Sequence, residues 1–251
     1  MEFTFGASRI AITHPSRPEL LAEIGARLTQ HRGFALATIN LDHLVKLDRD
    51  PKFLAAYQEQ DLVVADGNPI VWLSKLAGER VELITGSDLV IPLAAMARDL
   101  GRSVALLGTT PEALAASAAA LQARVPGLQI AAQLSPPMGF DPQSPQAEAL
   151  LRQVAESGAG LCFLALGAPK QEILAALGRK VAPNVGFASI GAGLDFLAGS
   201  QTRAPKWMQA LALEWLWRIG QSPKRMLPRY AACAAILPGH GLRAVRRRNA
   251  A

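Results

Sequence analysis

Short runs of hydrophobic residues alternate with amphipathic stretches along the first three quarters of the chain. The runs are apolar at successive positions, as expected of strands that are buried on both faces of a parallel sheet. They predict strands at residues 34–39, 62–65, 81–84, 104–107, 128–132, 160–166 and 185–190. Between them, apolar residues recur at helical spacing and predict helices at 18–30, 41–58, 69–76, 87–100, 111–124, 146–156 and 169–177.

Strands that alternate with helices of this length form βαβ units, so the predicted fold class is α/β. We expect a Rossmann-like, mostly parallel sheet that is flanked by helices. After residue 199 the pattern changes, and two helices are predicted at 205–219 and 223–237 without further strands. The second helix is expected to end near Pro238, because proline interrupts a helix.

The charge distribution divides the chain at the same point. Residues 1–199 contain 16 Lys and Arg side chains against 19 Asp and Glu, whereas residues 200–251 contain 10 basic side chains and a single acid, Glu214. A near-neutral α/β domain (1–199) therefore precedes a basic helical C-terminal appendage (200–251). This asymmetry indicates a polyanionic partner, which can be an anionic membrane surface, a phosphate-bearing substrate or a nucleic acid.

The sequence predicts no membrane-spanning segment. No apolar run reaches the roughly 20 residues that a spanning helix needs, and the first residues do not have the pattern of a signal peptide. Cys162 and Cys233 lie among apolar neighbours, which favours buried thiols in a reducing cytosol over a disulfide framework. We expect a cytoplasmic protein that attaches peripherally to the inner face of the plasma membrane through its basic appendage.

An aspartate follows the second predicted strand and opens a helix, in the sequence Asp66-Gly67-Asn68-Pro69. Open α/β sheets bind ligands at the carboxyl ends of their strands. A carboxylate at that edge can act as a general base on an acceptor hydroxyl. The same pattern is also typical of an Asx-turn or a helix cap, and spacing alone leaves both interpretations open.

Two more polar segments follow predicted strands. Residues 168–172, Ala-Pro-Lys-Gln-Glu, place a lysine and an amide at a helix N-terminus, where unpaired backbone amides attract anions. An ordinary capped helix is the alternative. Residues 191–195, Gly-Ala-Gly-Leu-Asp, resemble the start of a dinucleotide fingerprint, but Phe196 stands where the third glycine is needed. The segment therefore predicts a glycine turn that lets the backbone approach a ligand, rather than a dehydrogenase.

Metal-binding patterns are weak. Residues 48–50, Asp-Arg-Asp, match the Asp-x-Asp pattern of metal-dependent glycosyltransferases, but they precede Pro51 rather than follow an apolar strand. A solvated turn is the simpler interpretation. The four histidines do not have metal-ligand spacing, so neither a metal nor a cofactor is predicted.

The appendage combines tryptophans with basic residues. Trp207, Trp215 and Trp217 occur among Lys and Arg side chains. Tryptophan prefers the membrane interface, and arginine and lysine prefer anionic headgroups or phosphates; a helix pair whose tryptophans pack on the core is the alternative. Residues 246–248, Arg-Arg-Arg, are expected to form an exposed tail. No base-reading motif supports a nucleic-acid partner.

Taken together, these motifs resemble the WecB/TagA/CpsF family of glycosyltransferases. The matches occur in order and cover about residues 35–230. They are Thr38-Ile39-Asn40, Ala65-Asp66-Gly67, Thr85-Gly86-Ser87-Asp88-Leu89, Leu106-Leu107-Gly108, Leu166-Gly167-Ala168-Pro169-Lys170-Gln171-Glu172, Gly191-Ala192-Gly193-Leu194-Asp195-Phe196, Arg203-Ala204-Pro205 and Glu214-Trp215-Leu216-Trp217-Arg218.

The resemblance implies a hexosyltransferase that moves a sugar from a UDP-sugar to an undecaprenyl-diphosphate-linked saccharide, with inversion and without a metal, in cell-surface or exopolysaccharide synthesis. It implies that Asp66 is the general base, that Gln171 contacts the donor, and that Thr38 and Asn40 share their pocket. The other expected substrate-binding residues are Gly67, Gly108, Gly139, Phe140, Lys170, Glu172, Gly191 and Asp195. The C-terminal helices would face the membrane and supply phosphate- or lipid-binding arginines, namely Arg203, Arg218, Arg225 and Arg229.

One departure from the family concerns the donor. Family members commonly have an arginine two residues before the Thr-Gly of the third motif, where this chain has Leu83. The difference suggests a branch with a donor sugar other than the usual N-acetylmannosamine. The sequence leaves the donor sugar, the acceptor sugar, the linkage and a homo-oligomer open. An alternative function is that of a catalytically inactive, nucleotide-sugar-binding scaffold subunit of a polysaccharide assembly complex.

Overall fold

The computed structural model of the protein describes residues 1–250. The strands in this range are β1 (Glu2–Phe5), β2 (Ser8–Ala11), β3 (Phe34–Ile39), β4 (Leu62–Ala65), β5 (Val104–Gly108), β6 (Ile130–Leu134), β7 (Leu161–Ala165) and β8 (Gly186–Ser189). The last six form one parallel sheet in the order β4-β3-β8-β7-β5-β6. β1 and β2 form a separate antiparallel hairpin.

Helices cover both faces of the parallel sheet. They are α1 (Arg17–Thr29), α2 (Leu41–Leu47), α3 (Pro51–Gln58), α4 (Asn68–Leu76), α5 (Gly86–Asp99), α6 (Pro111–Arg124), α7 (Pro145–Glu156), α8 (Lys170–Val181), α9 (Gly193–Leu197), α10 (Lys206–Ala210), α11 (Glu214–Gln221) and α12 (Pro223–Ala250). Several begin at a hydroxyl side chain that accepts a hydrogen bond from a backbone N–H in the first turn, namely Ser16, Thr85, Thr110 and Ser144.

The predicted α/β class is confirmed, and the reason lies in the strands. β3, β4, β5, β7 and β8 are buried at every position, so successive side chains enter cores on opposite faces of the sheet. Phe34 and Leu36 belong to the core that also contains residues of α1 and α5. Ala37 and Ile39 belong to the core on the other side, with residues of α2, α3 and α4.

Two sequence-based assignments in the first half of the chain are wrong. Residues 81–84 do not form a strand, because their backbone N–H groups bond to two different segments: Glu82 donates to Pro15 at 2.8 Å and Ile84 donates to Ala65 at 2.8 Å. The single helix predicted at 41–58 is two helices, α2 and α3. The first helix ends at Leu47, and Asp50 caps the second, since its side chain accepts from the N–H groups of Lys52 and Phe53.

The last helix also differs from the prediction. α12 continues through Pro228 and Pro238 to Ala250 instead of ending near Pro238, so residues 246–248 are exposed positions of a helix rather than a tail. Each proline removes one backbone hydrogen bond. The loss is offset by packing, because α12 contacts α2 and α4 along its length. Cys233, His240 and Ala244 are buried on that side.

From α10 to α12 the chain consists of helices joined by short turns, as the sequence predicts after residue 199, although the helix predicted at 205–219 is divided into α10 and α11. Arg247 on the last helix pairs with Glu79 after α4 at 3.3 Å. The division into domains at residue 199 stays a prediction. Within residues 1–250, no helix combines the length and the apolar character that crossing a membrane requires.

Candidate functional site

A cavity of about 580 Å³ lies at the edge of the sheet where β3, β4, β7 and β8 end, and side chains of α11 and α12 form another of its walls. β3 and β4 deliver polar residues to the cavity at or just after their last positions, and the helices that follow β7 and β8 deliver Gln171 and Asp195. These residues meet because carboxyl ends of parallel strands share one edge. The predicted site residues that line it are Thr38, Asn40, Asp66, Gln171, Gly191, Asp195, Arg203, Arg218, Arg225 and Arg229.

Asp66 follows β4 directly and extends the pairing of β4 with β3, since its N–H donates to the carbonyl of Ile39 at 2.8 Å. The Thr38 hydroxyl donates to Asp66 Oδ2 at 3.3 Å. Burial raises the pKa of the Asp66 carboxyl to about 6, although the positive charge of Arg218 and the Thr38 hydrogen bond oppose the shift. Asp66 does not cap α4, whose N-cap is Gly67 with φ +96°. The carboxyl can therefore exchange a proton near neutral pH.

Asn40 and Thr38 come from the end of β3. The Asn40 side chain caps α2 by accepting the N–H of His43 at 3.0 Å, so it has a structural role besides its place in the cavity wall. Thr38 is buried except for its edge on the cavity. Beneath them, the His43 ring bonds to the Tyr57 hydroxyl at 2.9 Å, and burial lowers the pKa of His43 to about 3. This histidine is neutral, which suits packing rather than proton transfer.

Gln171 lies in the first turn of α8 and is 2% exposed. Its Oε1 accepts the backbone N–H of Gly191 at 3.1 Å, and its Nε2 donates to Glu172 Oε1 at 2.8 Å. Glu172 is completely buried behind Gln171 and is not part of the cavity wall. Burial raises the pKa of the Glu172 carboxyl to about 7. Lys170, the first residue of α8, also lies outside the wall.

Both carboxylate oxygens of Asp195 accept hydrogen bonds from other side chains of the protein. Thr109 Oγ1 donates to its Oδ1 at 2.7 Å, and Gln201 Nε2 donates to its Oδ2 at 2.9 Å. Both partners also line the cavity. Asp195 therefore fixes the loops that follow β5 and α9, and its remaining lone pairs face the same space.

Four further predicted residues do not line the cavity. Gly108 ends β5 with φ +135°, and a Cβ there would lie 2.4 Å from the carbonyl oxygen of Ala165. Only glycine fits at position 108, because β5 and β7 approach each other closely there. Gly139, with φ +80°, lies in the loop before α7. Phe140 is buried in the core that includes Ala147 and Leu151, and Gly67 opens α4.

The four predicted arginines divide into two pairs. Arg203 contacts Asp88 at 2.5 Å and Glu214 at 3.5 Å, and Arg229 contacts Asp42 at 2.9 Å. These two arginines fasten the C-terminal helices to the α/β core. Within residues 1–250, neither Arg218 nor Arg225 forms an ion pair, and both line the cavity. They are the guanidinium groups that remain available to an anionic ligand.

Sequence reasoning missed several side chains in the cavity wall. Lys46 donates to the carbonyl of Ala168 at 3.0 Å and contacts Asp42 at 2.8 Å; its position inside a helix offered no signal. Thr109 directly follows the Leu-Leu-Gly motif, which was the signal for it. Trp217 also lines the wall, where its indole N–H donates to the Thr202 carbonyl at 3.1 Å. The sequence predicted that the tryptophans either lie at a membrane interface or pack on the core, whereas Trp217 lies in the cavity wall.

The Asp-Arg-Asp segment has a structural role. Asp50 caps α3, and Asp48 lies at the end of α2 on the surface. Across residues 1–250, no three His, Cys, Asp or Glu side chains are grouped so that they could hold a metal ion. Leu83, which occupies the family's usual arginine position, is 39% exposed and lies outside the cavity wall.

Comparison with protein families finds one match that spans nearly the entire chain. The family described as the glycosyl transferase WecG/TagA/CpsF family matches residues 6–250. The match extends over both the sheet whose strand ends form the cavity and the C-terminal helices that carry Arg218 and Arg225.

Proposed function

Because the chain belongs to the WecG/TagA/CpsF family of glycosyl transferases, we propose that it transfers a hexose from a UDP-sugar to a saccharide carried on undecaprenyl diphosphate. The product would extend a lipid-linked precursor of a cell-surface polysaccharide or exopolysaccharide. One observation carries this proposal: the Asp66 carboxyl, with a pKa raised to about 6, lies in the wall of a cavity that also contains Arg218.

The reaction uses the carboxyl as a base. Ionised Asp66 removes the proton of the acceptor hydroxyl, and that oxygen forms a bond to the anomeric carbon from the face opposite the nucleotide. The bond between the anomeric carbon and the UDP oxygen breaks, and UDP leaves with the electron pair. A single displacement of this kind inverts the anomeric configuration. General bases of this type contribute roughly 10²–10⁴-fold to the rate.

The leaving diphosphate needs positive partners. Arg218 and Arg225 can donate paired hydrogen bonds to phosphate oxygens. Charge that develops on the departing UDP is then met by groups fixed in advance, which is the usual origin of electrostatic catalysis.

The acceptor's lipid requires access to a membrane. Trp207, Leu211, Trp215 and Leu216, which we call the apolar face of the appendage, are exposed on α10 and α11 or the turn between them. They lie in the most basic part of the sequence. Exposed apolar side chains beside basic ones suit a surface that contacts anionic lipid headgroups, so the proposal includes peripheral attachment at the inner face of the plasma membrane.

The proposal is tested by the variant Asp66→Asn with a panel of UDP-sugars and a synthetic polyprenyl-diphosphate saccharide. Turnover should fall by about 100-fold or more, because the amide cannot accept the proton, while UDP affinity measured by calorimetry should change little. Asp48→Asn is the control, since Asp48 is an exposed acid at the end of α2, and it should retain full activity.

Two results would contradict the proposal. Asp66→Asn with nearly normal turnover would show that another group is the base. A folded wild-type protein that binds UDP but transfers no sugar from any donor in the panel would favour the inactive scaffold subunit.

A further inference from the structure

Glu172 is buried in a way that core packing does not require. It lies in the first turn of α8 and has no exposed surface. Within residues 1–250 its Oε2 has no hydrogen-bond partner. An unpartnered buried carboxyl oxygen is costly, and an apolar side chain of similar length would avoid that cost. The carboxyl therefore needs a reason outside stability.

The hydrogen bond that the Glu172 side chain accepts from Gln171 suggests that reason. Gln171 Nε2 donates to Glu172 Oε1 at 2.8 Å, and Gln171 Oε1 accepts from the Gly191 N–H at 3.1 Å. A flipped amide would set its NH₂ against the Gly191 N–H, and its oxygen would lie against the Glu172 carboxyl, which is ionised above its pKa of about 7. Both contacts would then be repulsive, so the two neighbours together permit a single orientation.

The arrangement leaves part of the amide for a ligand. Gln171 lines the cavity, and its Oε1 and Nε2 each form one hydrogen bond to the protein. One N–H and one oxygen lone pair remain. Adjacent residues on a helix do not normally face each other, so the bond between Gln171 and Glu172 reflects a specific local geometry at the start of α8.

The surroundings hold Glu172 in place. Gln60 donates to the backbone carbonyl of Glu172 at 3.1 Å. The charged and titratable groups that act on its carboxyl are Lys46 and Asp42 from α2, and the carboxyl in turn acts on Tyr57 from α3. The side chain does not reach the cavity, so it acts on a ligand only through Gln171.

We propose that Glu172 is a positioning residue that holds the Gln171 amide in the single orientation in which it binds the donor. The inference rests on the proposed function, in which Gln171 contacts the UDP-sugar. Glu172 itself touches no substrate. Its contribution is to remove the alternative amide orientation before the donor arrives, which lowers the cost of binding.

The test is a double-mutant cycle on the full chain, with the UDP-sugar that the wild-type protein uses best. Glu172→Met removes the acceptor without leaving a large cavity, because methionine is flexible and similar in length. We expect it to raise the donor KM by about threefold to tenfold, the loss expected of one hydrogen bond. Glu172→Gln retains a carbonyl oxygen as acceptor and should stay within about threefold of wild type by the same measure.

The cycle separates positioning from a general defect. In the Gln171→Ala background, Glu172→Met should have almost no further effect, because the group it positions is gone. The acceptor KM should stay unchanged in every variant. Glu156→Met, at the exposed end of α7, is the control and should behave as wild type.

Equal losses from Glu172→Met in the wild-type and Gln171→Ala backgrounds would overturn the inference. So would a Glu172→Gln variant that is folded but as impaired as Glu172→Met. If Glu172→Met cannot be purified, Glu172→Gln decides alone: a donor KM near wild type supports the inference and a tenfold rise overturns it. Absence of transfer by the wild-type protein would instead refute the proposed function, so the two failures are distinguishable.

Discussion

At the scale of single residues, the surroundings of Asp66 set the pH at which the site can work. Burial raises its pKa to about 6, and Arg218 opposes that rise. A base is active only when ionised, so kcat/KM should increase as pH rises through about 6. In Arg218→Gln the opposing charge is lost, and the midpoint of this increase should move to higher pH.

Rate profiles between pH 5 and 9 with a soluble acceptor analogue measure the midpoint. Arg246→Gln is the matched control, because Arg246 is exposed near the end of α12, and its midpoint should equal that of wild type. An unchanged midpoint in Arg218→Gln would contradict the assigned role of this charge.

Glu172 gives a second residue-scale prediction, on stability. Its pKa is about 7 in the folded protein against an ordinary value of 4.5, so the folded state binds a proton that the unfolded state has released between these values. Stability is therefore lost as pH rises through this window. Glu172→Gln removes the loss, and its advantage in free energy of unfolding over wild type should grow by on the order of 3 kcal/mol from pH 4 to pH 8.

Urea unfolding at the two pH values measures this difference. Glu156→Gln, an exposed change of the same type, should show no such growth. An advantage of Glu172→Gln that is independent of pH would mean that the Glu172 carboxyl has the same pKa in the folded protein as in the unfolded chain.

At the scale of elements, the contact between β5 and β7 depends on Gly108. A Cβ at this position would lie 2.4 Å from the Ala165 carbonyl oxygen, and φ is +135°. Gly108→Ala should destabilise the protein by more than about 2 kcal/mol, because both backbones would have to move. Gly139 provides the comparison, since its φ is +80° but a Cβ at that position would have no neighbour within 4 Å.

Gly139→Ala should therefore cost only the strain of a left-handed residue, about 1–2 kcal/mol. Thermal unfolding of both variants decides between these expectations. Equal losses in Tm would show that backbone strain, rather than the approach of the two strands, makes glycine necessary at Gly108.

Ion pairs between elements hold the C-terminal helices over the cavity. Arg203 joins the loop before α10 to α5 and α11, and Arg229 joins α12 to α2. Buried or half-buried ion pairs of this kind hold orientation more than they add stability. They leave Arg218 and Arg225 without carboxylate partners in residues 1–250, on the wall of the cavity. We therefore assign the proposed phosphate contacts to Arg218 and Arg225.

At the scale of the whole molecule, the proposed attachment to lipid predicts where a polar change should matter. Leu211 is 63% exposed on the apolar face of the appendage. Leu211→Ser should weaken binding to vesicles that contain anionic lipid by about threefold to tenfold, since part of a leucine's transfer free energy is lost. Leu100→Ser changes an exposed leucine at the end of α5 and should leave binding unchanged.

Vesicle flotation at low and high salt measures both variants. Binding of the wild-type protein should weaken with salt, because basic groups contribute through attraction to anionic headgroups. If Leu211→Ser and Leu100→Ser bind equally well, the membrane surface lies elsewhere on the protein.

The sequence by itself determined most of the sheet and the edge at which the candidate site lies. Except at residues 81–84, the predicted runs of apolar residues are strands of the sheet, and their alternation with helices makes the sheet parallel. Polar residues that end such strands then share one edge, whatever the details of packing. Asp66 and Gln171 follow two such strands, the family resemblance adds Thr38, and all three line one cavity.

Tertiary structure decided what depends on contacts between distant segments. Local sequence predicts that a helix stops at Pro238, but packing against α2 and α4 carries α12 past it. Spacing cannot show that Arg229 is paired with Asp42 while Arg218 lines the same cavity as Asp66. Nor can it show that Glu172, beside Gln171 in the same motif, is buried behind the site. Charge pairing and burial are set by three-dimensional neighbours, which a linear pattern does not contain.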